Sequence, residues 1–209
     1  MSTTIHLPEL EKRVKLKLIS KRKHPTEDLY IYNYTDECTY RQNNWDYYTR
    51  MARGLILDVQ GCIVARPFKK FFNINECQET SENSLPDEIP EVSEKLDGSL
   101  GILYPINGKY YIATRGSFDS WQAQWATKFL HKEYPDIYER LSPDVTYLVE
   151  IIHPDNRIVV DYHRAKSLVL IGIVDNDSGY EFPYLEVSDR AEELGFSRVP
   201  TYNYLLEDC

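Results

Sequence analysis

The 209 residues suffice for one well-buried domain or two small ones and are too few for a multidomain assembly. The 24 Lys and Arg residues against 33 Asp and Glu residues give a formal net charge of −9, which at first sight argues against a polyanionic partner. No apolar run approaches the roughly 20 residues that a membrane span needs, so we expect no membrane role. Because the N-terminal sequence has no apolar h-region and no small-residue cleavage site, we expect a cytoplasmic protein.

In the first half of the chain, β-rich composition predicts strands separated by turns. Residues 29–34 (LYIYNY) read as a strand, and residues 54–59 and 62–66 read as a hairpin around Gln60-Gly61. The acidic, proline-containing stretch 78–90 has little apolar content, and we interpret it as a surface loop rather than a domain boundary.

A hairpin and a helix are predicted after this loop. Residues 100–104 and 110–114 flank Asn107-Gly108, a strong hairpin signal because both turn residues tolerate positive φ. From Asp119 to about Lys132 apolar residues recur at helical spacing, with Ser117 or Asp119 available as the N-cap.

The remaining elements are strands and one short helix. Apolar, β-branched runs predict strands at 147–152, 158–162 and 168–174, and residues 187–194 read as a helix ended by Gly195. Many antiparallel strands with a few covering helices predict an α+β fold in one domain, residues 1–209.

The segment with the clearest chemical content is EKLDGSL at 94–100, between an extended loop and a strand. A lysine amine is a nucleophile only when unprotonated, a form favoured by desolvation or neighbouring cations. Lys95 is the candidate nucleophile, and the candidate cations are Arg53, Lys70 and Arg115. An exposed lysine on a surface turn is the alternative interpretation of the short Lys-x-Asp-Gly motif taken alone.

The motif is accompanied by other segments in a characteristic order. These are LYIYNYT with the following Trp45 region, ARGLILD at 52–58, ARPFKKFFNINE at 65–76, EKLDGSL at 94–100, ATRGSF at 113–118, YLVEIIHPDNRIVVDY at 147–162 and SLVLIGIVDNDSG at 167–179. Together they resemble the ATP-dependent RNA ligases of the phage RNA-repair type, the RNA ligase 1 family of the covalent nucleotidyltransferases. A DNA ligase or a capping enzyme would share chiefly the lysine motif.

The resemblance implies a role for each matching residue. Lys95 would attack the α-phosphorus of ATP and form a lysyl–AMP phosphoramide, while Arg53 and Lys70 would hold the triphosphate. Glu94 would contact the adenine. The remaining nucleotide-binding positions that it implies are Asp97, Gly98, Arg115, Gly116 and Glu150.

The implied cofactors are ATP and Mg²⁺ or Mn²⁺, with Glu150 as a carboxylate on the metal side, contacting the ion through water. Separated cations and one strand carboxylate suit phosphoryl transfer, in which charge stabilisation carries most of the catalysis. For any single residue a solvated edge charge is the simpler interpretation. The ordered set favours the nucleotide site.

Aromatic and histidine residues near this region have structural interpretations. His153-Pro154-Asp155 has no partnered nucleophile, so we predict a turn with a structural histidine. Trp121, Trp125 and Phe129 could stack on bases, but their helical spacing favours core packing.

Two further motifs that family members carry after this region, an E-G-x-V strand and a K-x-K strand, are not found there. The K-x-K matches at 15–17 and 21–23 lie upstream of Lys95, in the wrong order. No Glu-Gly dipeptide occurs, and no lysine follows Lys166. We therefore expect a nucleotidyltransferase domain shortened at its C-terminal end, or a partner chain that supplies these strands, with impaired sealing of RNA.

Residues 12–23 modify the opening inference from net charge. They carry seven Lys or Arg residues and no acid, so the remainder of the chain has a net charge of −16. Such a segment can follow a phosphate backbone, although a solvated charged face is an equal alternative. The candidate RNA contacts are Lys15, Lys17, Lys21, Arg22 and Lys23.

The function that we predict is that of an ATP-dependent RNA ligase, with ATP and RNA ends as its partners. Two alternatives remain from the sequence: a non-catalytic nucleotide- or RNA-binding fragment of such a ligase, and a capping-type guanylyltransferase, which also carries Lys-x-Asp-Gly. Preference for GTP over ATP would identify the last.

Overall fold

Two main β-sheets, each covered by helices on its outer face, form the architecture of the computed structural model, which describes residues 3–40, 44–156 and 159–204. The strands are β1 Ile19–Lys23, β2 Leu29–Tyr34, β3 Arg53–Asp58, β4 Ile63–Ala65, β5 Val92–Ser93, β6 Ser99–Ile106, β7 Lys109–Thr114, β8 Val145–Ile152, β9 Ser167–Asp175, β10 Ser197–Arg198 and β11 Thr201–Tyr202. The helices are α1 Leu7–Lys15, α2 Asp36–Tyr40, α3 Tyr47–Met51, α4 Trp121–Glu133 and α5 Tyr184–Leu194.

The smaller of the two main sheets has the antiparallel strand order β1-β2-β3-β4. The larger has the order β10-β9-β8-β6-β7, antiparallel except for the short β10, which runs parallel to β9. Strands β5 and β11 form a separate antiparallel pair beside the start of β6. This arrangement confirms the α+β class with mostly antiparallel sheets.

Alternation of side chains along the strands gives each sheet two apolar faces. Ile31 and Ile56 of the smaller sheet pack with Ile102 and Leu148 of the larger sheet in one buried cluster between the sheets. The outer face of the smaller sheet packs under α1 and α3, and that of the larger under α4 and α5. The sheets therefore face each other across a shared core.

Most of the predicted strands are present. Strand β2 has the predicted bounds, β3 and β4 form the expected hairpin, and β6 and β7 pair around Asn107-Gly108, where both residues have positive φ. Helix α5 ends at Gly195, whose φ of 81° places it in the left-handed region. Helix α1, at the start of the basic segment, was not predicted because its apolar face is short.

Two sequence predictions are wrong. Residues 159–162 form no strand, because the amides of Val159 and Val160 donate to the side chain of Asp97 instead of to a neighbouring strand; Ile158 lies outside the described residues. The N-cap of α4 is Ser120, whose Oγ accepts from the Ala123 amide at 3.2 Å, rather than Ser117 or Asp119. Ser117 is still bridged to Thr114, so the helix cannot begin there.

The stretch 78–90 contains two short 3₁₀ helices, Gln78–Thr80 and Glu82–Ser84, and no strand. None of its side chains is fully buried. Within the described part of the chain, no helix combines the length and apolar character needed to cross a membrane.

Candidate active site

A cleft of about 920 Å³ opens between the two sheets where their shared core ends. Arg53 reaches it from the smaller sheet, and Glu150 from the larger. Lys95, Arg115 and Gly116 lie in the loops along its rim. The structure therefore brings residues from four distant parts of the sequence into one site.

A β-bulge turns Arg53 towards this cleft. Tyr32 pairs with Leu55, but Asn33 pairs with Arg53, so Gly54 is an extra residue in β3. Without this bulge, alternation would place Arg53 on the face covered by α1. Gly54 has a φ of 101°, and a Cβ there would meet Ile102 at 2.3 Å, so glycine is required.

Arg53 presents an unused hydrogen-bond donor inside the cleft. Its Nη1 atom is buried and has no hydrogen-bond partner within the described structure. Burial lowers the pKa of the guanidinium, and the positive charge of Arg115 lowers it further. Because a buried, unpaired donor is costly, this arrangement fits an anionic ligand, such as a phosphate oxygen, that supplies the acceptor.

Glu150 is the carboxylate on the opposite wall. It lies two residues after Leu148 on β8 and so shares the face that meets the other sheet. Burial raises its pKa to about 7, and Asp97 contributes in the same direction. The Gly98 amide and the positive charges of Lys95 and Arg53 lower it. Near neutral pH, the protonated and ionised forms of Glu150 are therefore both populated.

Lys95 lies in an irregular loop between β5 and β6, at the edge of the cleft. Gly98 in the same loop passes so close to β8 that a Cβ would stand 2.5 Å from the Ile151 carbonyl oxygen and 3.1 Å from Glu150 Oε1. Glycine at this position therefore lets the loop hydrogen-bond to the Glu150 carboxylate through its amide. The Asp97 carboxylate points towards the segment after β8 and accepts the amides of Val159 and Val160.

Arg115 and Gly116 follow the end of β7 and line the same cleft as Lys95. The guanidinium of Arg115 lies 5.1 Å from the Tyr34 ring centre and donates to the Tyr34 hydroxyl at 3.3 Å. A Cβ at Gly116 would meet nothing closer than Asn33 Nδ2 at 3.9 Å, so the space above this residue is open. The Arg115 guanidinium is thus held in place by Tyr34 beside open space at Gly116.

Two of the expected nucleotide contacts are engaged elsewhere. The Glu94 carboxylate lines the cleft but accepts a hydrogen bond from the Tyr202 hydroxyl at 3.1 Å. Lys70 does not line the cleft. Its Nζ donates to the Phe71 carbonyl and lies 3.8 Å from Glu76 Oε1. The role of Lys70 at the triphosphate stays a prediction.

Sequence reasoning missed Asn33 as a cleft residue. It lies two positions after Ile31 on β2, and its Oδ1 is buried without a partner in the described structure. The signal was available, since period-two alternation from a buried Ile31 places Asn33 on the same face. This amide adds an acceptor beside the Arg53 donor.

The described residues offer few ligands for a metal ion. Among residues 3–40, 44–156 and 159–204, no group of three His, Cys, Asp or Glu side chains could hold a metal. Mg²⁺ usually keeps several waters and takes one or two carboxylates together with substrate phosphates. Glu150, desolvated on the cleft wall, fits such a site, in which phosphates and water supply the other ligands.

The basic segment is partly neutralised by ion pairs. Lys21 pairs with Glu11 at 2.7 Å, and Lys23 pairs with Asp28 at 2.9 Å. By contrast, Lys15, Lys17 and Arg22 are exposed and form no ion pair with a described acidic side chain. These three remain as candidates for contacting an external polyanion, and their role stays a prediction.

The aromatic residues of α4 divide into two groups. Trp125 and Phe129 pack against the core beneath the larger sheet, as predicted. Trp121, in the first turn of α4, is 44% exposed, so the prediction of core packing is wrong for this residue. His153 lies between the two indoles, with ring centroids 5.5 Å from Trp121 and 4.8 Å from Trp125, which agrees with a structural role.

Comparison with known proteins identifies the family. Residues 51–205 match the family model described as RNA ligase, so the chain belongs to the RNA ligase family. The chain is 28% identical over 196 residues to the RNA ligase of Rhodothermus phage RM378, covering 73% of this chain and 43% of the phage protein. It is 29% identical over 155 residues to a provisionally named RNA ligase of Thermovibrio ammonificans, covering 70% of this chain and 39% of that protein.

The chain therefore spans less than half the length of these two relatives. Among solved structures, an archaeal ATP-dependent RNA ligase superposes with a TM-score of 0.63 at 15% identity, covering 96% of this chain and 51% of the archaeal one. At this identity the similarity establishes the fold.

Glu150 should impose a pH dependence on stability. Between about pH 4.5 and 7 the unfolded chain releases a proton that the folded chain retains, so the free energy of unfolding falls as pH rises through this window. Glu150→Gln removes the titrating group and with it this contribution to the pH dependence of the free energy of unfolding. Urea unfolding across the window should show the variant gaining stability relative to the wild type as pH rises, with no further gain above about pH 7.

The matched control is Glu139→Gln, at an exposed position. It should leave the pH dependence of the wild type unchanged. Equal pH slopes for the wild type and Glu150→Gln would contradict the buried, protonated carboxyl.

Proposed function

We propose that this chain is the nucleotidyltransferase part of an ATP-dependent RNA ligase, with residues 1–209 forming one domain. Lys95 forms a lysyl–AMP intermediate, AMP passes to an RNA 5′-phosphate, and a 3′-OH then displaces it to join the strands. The observation that carries the proposal is the shared cleft of Lys95 and the buried, unpartnered Arg53 donor in a chain of the RNA ligase family.

The first step is an in-line displacement at phosphorus. The bond from Lys95 Nζ to the α-phosphorus forms while the bond to the pyrophosphate oxygen breaks, and the amine loses its proton to solvent. Such a transfer depends mainly on positioning and charge stabilisation. Arg53, already desolvated in the cleft, can stabilise the phosphate charge without a further solvation cost.

Other residues of the cleft are assigned by position and by the family resemblance. Arg115 and Gly116 lie beside open volume suited to the sugar or phosphates. Glu94 would exchange its Tyr202 hydrogen bond for one with adenine. Lys70 would have to leave the Phe71 carbonyl and Glu76 to reach the outer phosphates. Asp97 and Gly98 act through the geometry of the Lys95 loop.

A divalent cation, Mg²⁺ or Mn²⁺, would neutralise negative charge on the nucleotide phosphates. Glu150 would hold it through a water molecule, since this side chain is the desolvated carboxylate on the cleft wall. As the ionised form of Glu150 grows above its pKa of about 7, metal-dependent labelling should grow with it.

The proposed partners are RNA ends and a further chain segment that completes the domain, either from the same polypeptide or from a partner chain. The proposed location is the cytoplasm, where ATP and RNA occur together. RNA binding outside the cleft is assigned to the exposed members of the basic segment, Lys15, Lys17 and Arg22. Lys21 and Lys23 contribute less because each is already paired with an acid.

The direct test is covalent labelling with ATP carrying a labelled α-phosphate and Mg²⁺ or Mn²⁺, followed by denaturing electrophoresis. The wild type should retain label, and Lys95→Ala should lose it, because the nucleophile is removed. Lys109→Ala, at an exposed position in the β6–β7 hairpin, is the matched control and should label normally.

Two outcomes would contradict the proposal. Absence of label from the wild type under either metal would favour a non-catalytic nucleotide- or RNA-binding protein. Stronger labelling by GTP than by ATP would favour a guanylyltransferase.

RNA binding by the basic segment should be visible in its salt dependence. Each phosphate contact on a single strand contributes about 0.7 to the slope of log affinity against log salt. The triple variant Lys15→Gln, Lys17→Gln, Arg22→Gln should therefore flatten this slope by about 2, measured by fluorescence anisotropy with single-stranded RNA. The equally charged control Lys109→Gln, Lys128→Gln, Lys166→Gln, at exposed positions outside the basic segment, should leave it unchanged. Equal slopes for the two triple variants would refute the assignment.

A further inference from the structure

The loop that carries Lys95 has no strand partner of its own, since β5 ends at Ser93 and β6 begins at Ser99. Its backbone is held by hydrogen bonds to residues outside the loop. The Glu94 amide donates to the Pro200 carbonyl at 2.9 Å, and the Gly98 amide donates to the Glu150 carboxylate. Between these two anchors, the Asp97 amide donates to the hydroxyl of Tyr162 at 2.8 Å. This third anchor lies two residues from the nucleophile.

Tyr162 is itself held in place by packing. Its ring packs against the small buried cluster of Ile152, Val169 and Val199. Leu96, the residue directly after Lys95, packs against the same cluster. The tyrosine therefore supports the loop by two means, a shared apolar contact with Leu96 and a hydrogen bond to the next amide.

The contact is reciprocal. The Asp97 carboxylate accepts the amides of Val159 and Val160 at 2.6 and 2.7 Å, and these residues precede Tyr162 in the same segment. Hydrogen bonds to a charged acceptor are among the strong ones in proteins. The Lys95 loop and the segment 159–162 thus clamp each other, and neither is a regular strand.

We propose that Tyr162 is a positioning residue for Lys95, a role that rests on the proposed function. By accepting the Asp97 amide, its hydroxyl fixes the loop so that Lys95 Nζ meets the α-phosphorus opposite the departing pyrophosphate. Tyr162 acts through the loop backbone. In-line attack tolerates little displacement, and a shift of about 1 Å can slow a reaction by about 100-fold.

Tyr162→Phe keeps the ring in its cluster and removes only the acceptor. The Asp97 amide then loses its partner, and the loop gains freedom at the residue that orients Lys95. The maximal rate of adenylylation should fall by about 10- to 100-fold. The ATP concentration at half-maximal rate should change less than about twofold, because the groups assigned to the nucleotide are unaltered.

The chain supplies a closely matched control in Tyr184. Its ring packs against the same cluster, and its hydroxyl donates to the Val199 carbonyl at 2.9 Å. Tyr184→Phe therefore removes one hydroxyl from the same cluster and leaves the hydrogen bond between Tyr162 and the Asp97 amide intact. If Tyr162 had only a structural role, Tyr162→Phe and Tyr184→Phe would behave alike.

The experiment measures single-turnover adenylylation against ATP concentration for the wild type and both variants, together with hydrogen exchange at the Asp97 amide. Tyr162→Phe should slow the chemical step and speed exchange at Asp97, whereas Tyr184→Phe should do neither, even where the two are equally destabilised. The inference is overturned if Tyr162→Phe matches Tyr184→Phe in rate and exchange, or if only the half-saturating ATP concentration moves.

Hydrogen exchange separates this inference from the proposed function. If the wild type forms no adenylate, the proposed function is refuted. If exchange at the Asp97 amide is nevertheless accelerated only in Tyr162→Phe, the contact between Tyr162 and the Lys95 loop is still supported. A wild type that forms adenylate, with no contrast between the two variants, would refute the positioning role alone.

Discussion

Both the fold and the cleft depend on the boundary between the two sheets at which the apolar core ends and charged side chains begin. On β2 the buried Ile31 is followed on the same face by Asn33, and on β8 the buried Leu148 is followed by Glu150. The apolar contacts hold the sheets close together, so the polar residues beyond them are desolvated. A single packing arrangement thus both stabilises the fold and creates the cleft.

Desolvation gives the cleft its chemical character. Arg53 is turned inward by the bulge at Gly54 and keeps a buried donor without a partner, while burial of Glu150 raises its pKa to about 7. Both features are unfavourable in the free protein and would become favourable with the phosphate and the cation of the proposed reaction bound. Because Lys95 lies in a loop rather than a strand, its orientation depends on tertiary contacts with distant segments.

Sequence reasoning succeeded where local signals decide structure. The Asn107-Gly108 hairpin, strand β2 and the end of α5 at Gly195 follow from turn chemistry and alternation, and the Lys95 motif was located at the start of a strand. Sequence reasoning failed where a distant side chain accepts the backbone hydrogen bonds of a segment, as Asp97 does for the amides of Val159 and Val160. The apolar run there reads as a strand because a sequence pattern cannot reveal an acceptor 62 residues away. The bulge that turns Arg53 and the contact of Tyr162 with Asp97 are likewise tertiary, so the motif names candidate residues but not the contacts that hold them.

In the proposed reaction, this cleft brings Lys95 to the α-phosphate of ATP. The most direct test of this reaction is peptide mapping by tandem mass spectrometry after incubation with ATP and Mg²⁺ or Mn²⁺, with and without later addition of pyrophosphate. We expect AMP on Lys95 and its removal by pyrophosphate, since the first step is reversible. AMP on a different residue, or a Lys95 adduct that pyrophosphate does not reverse, would contradict the proposed reaction.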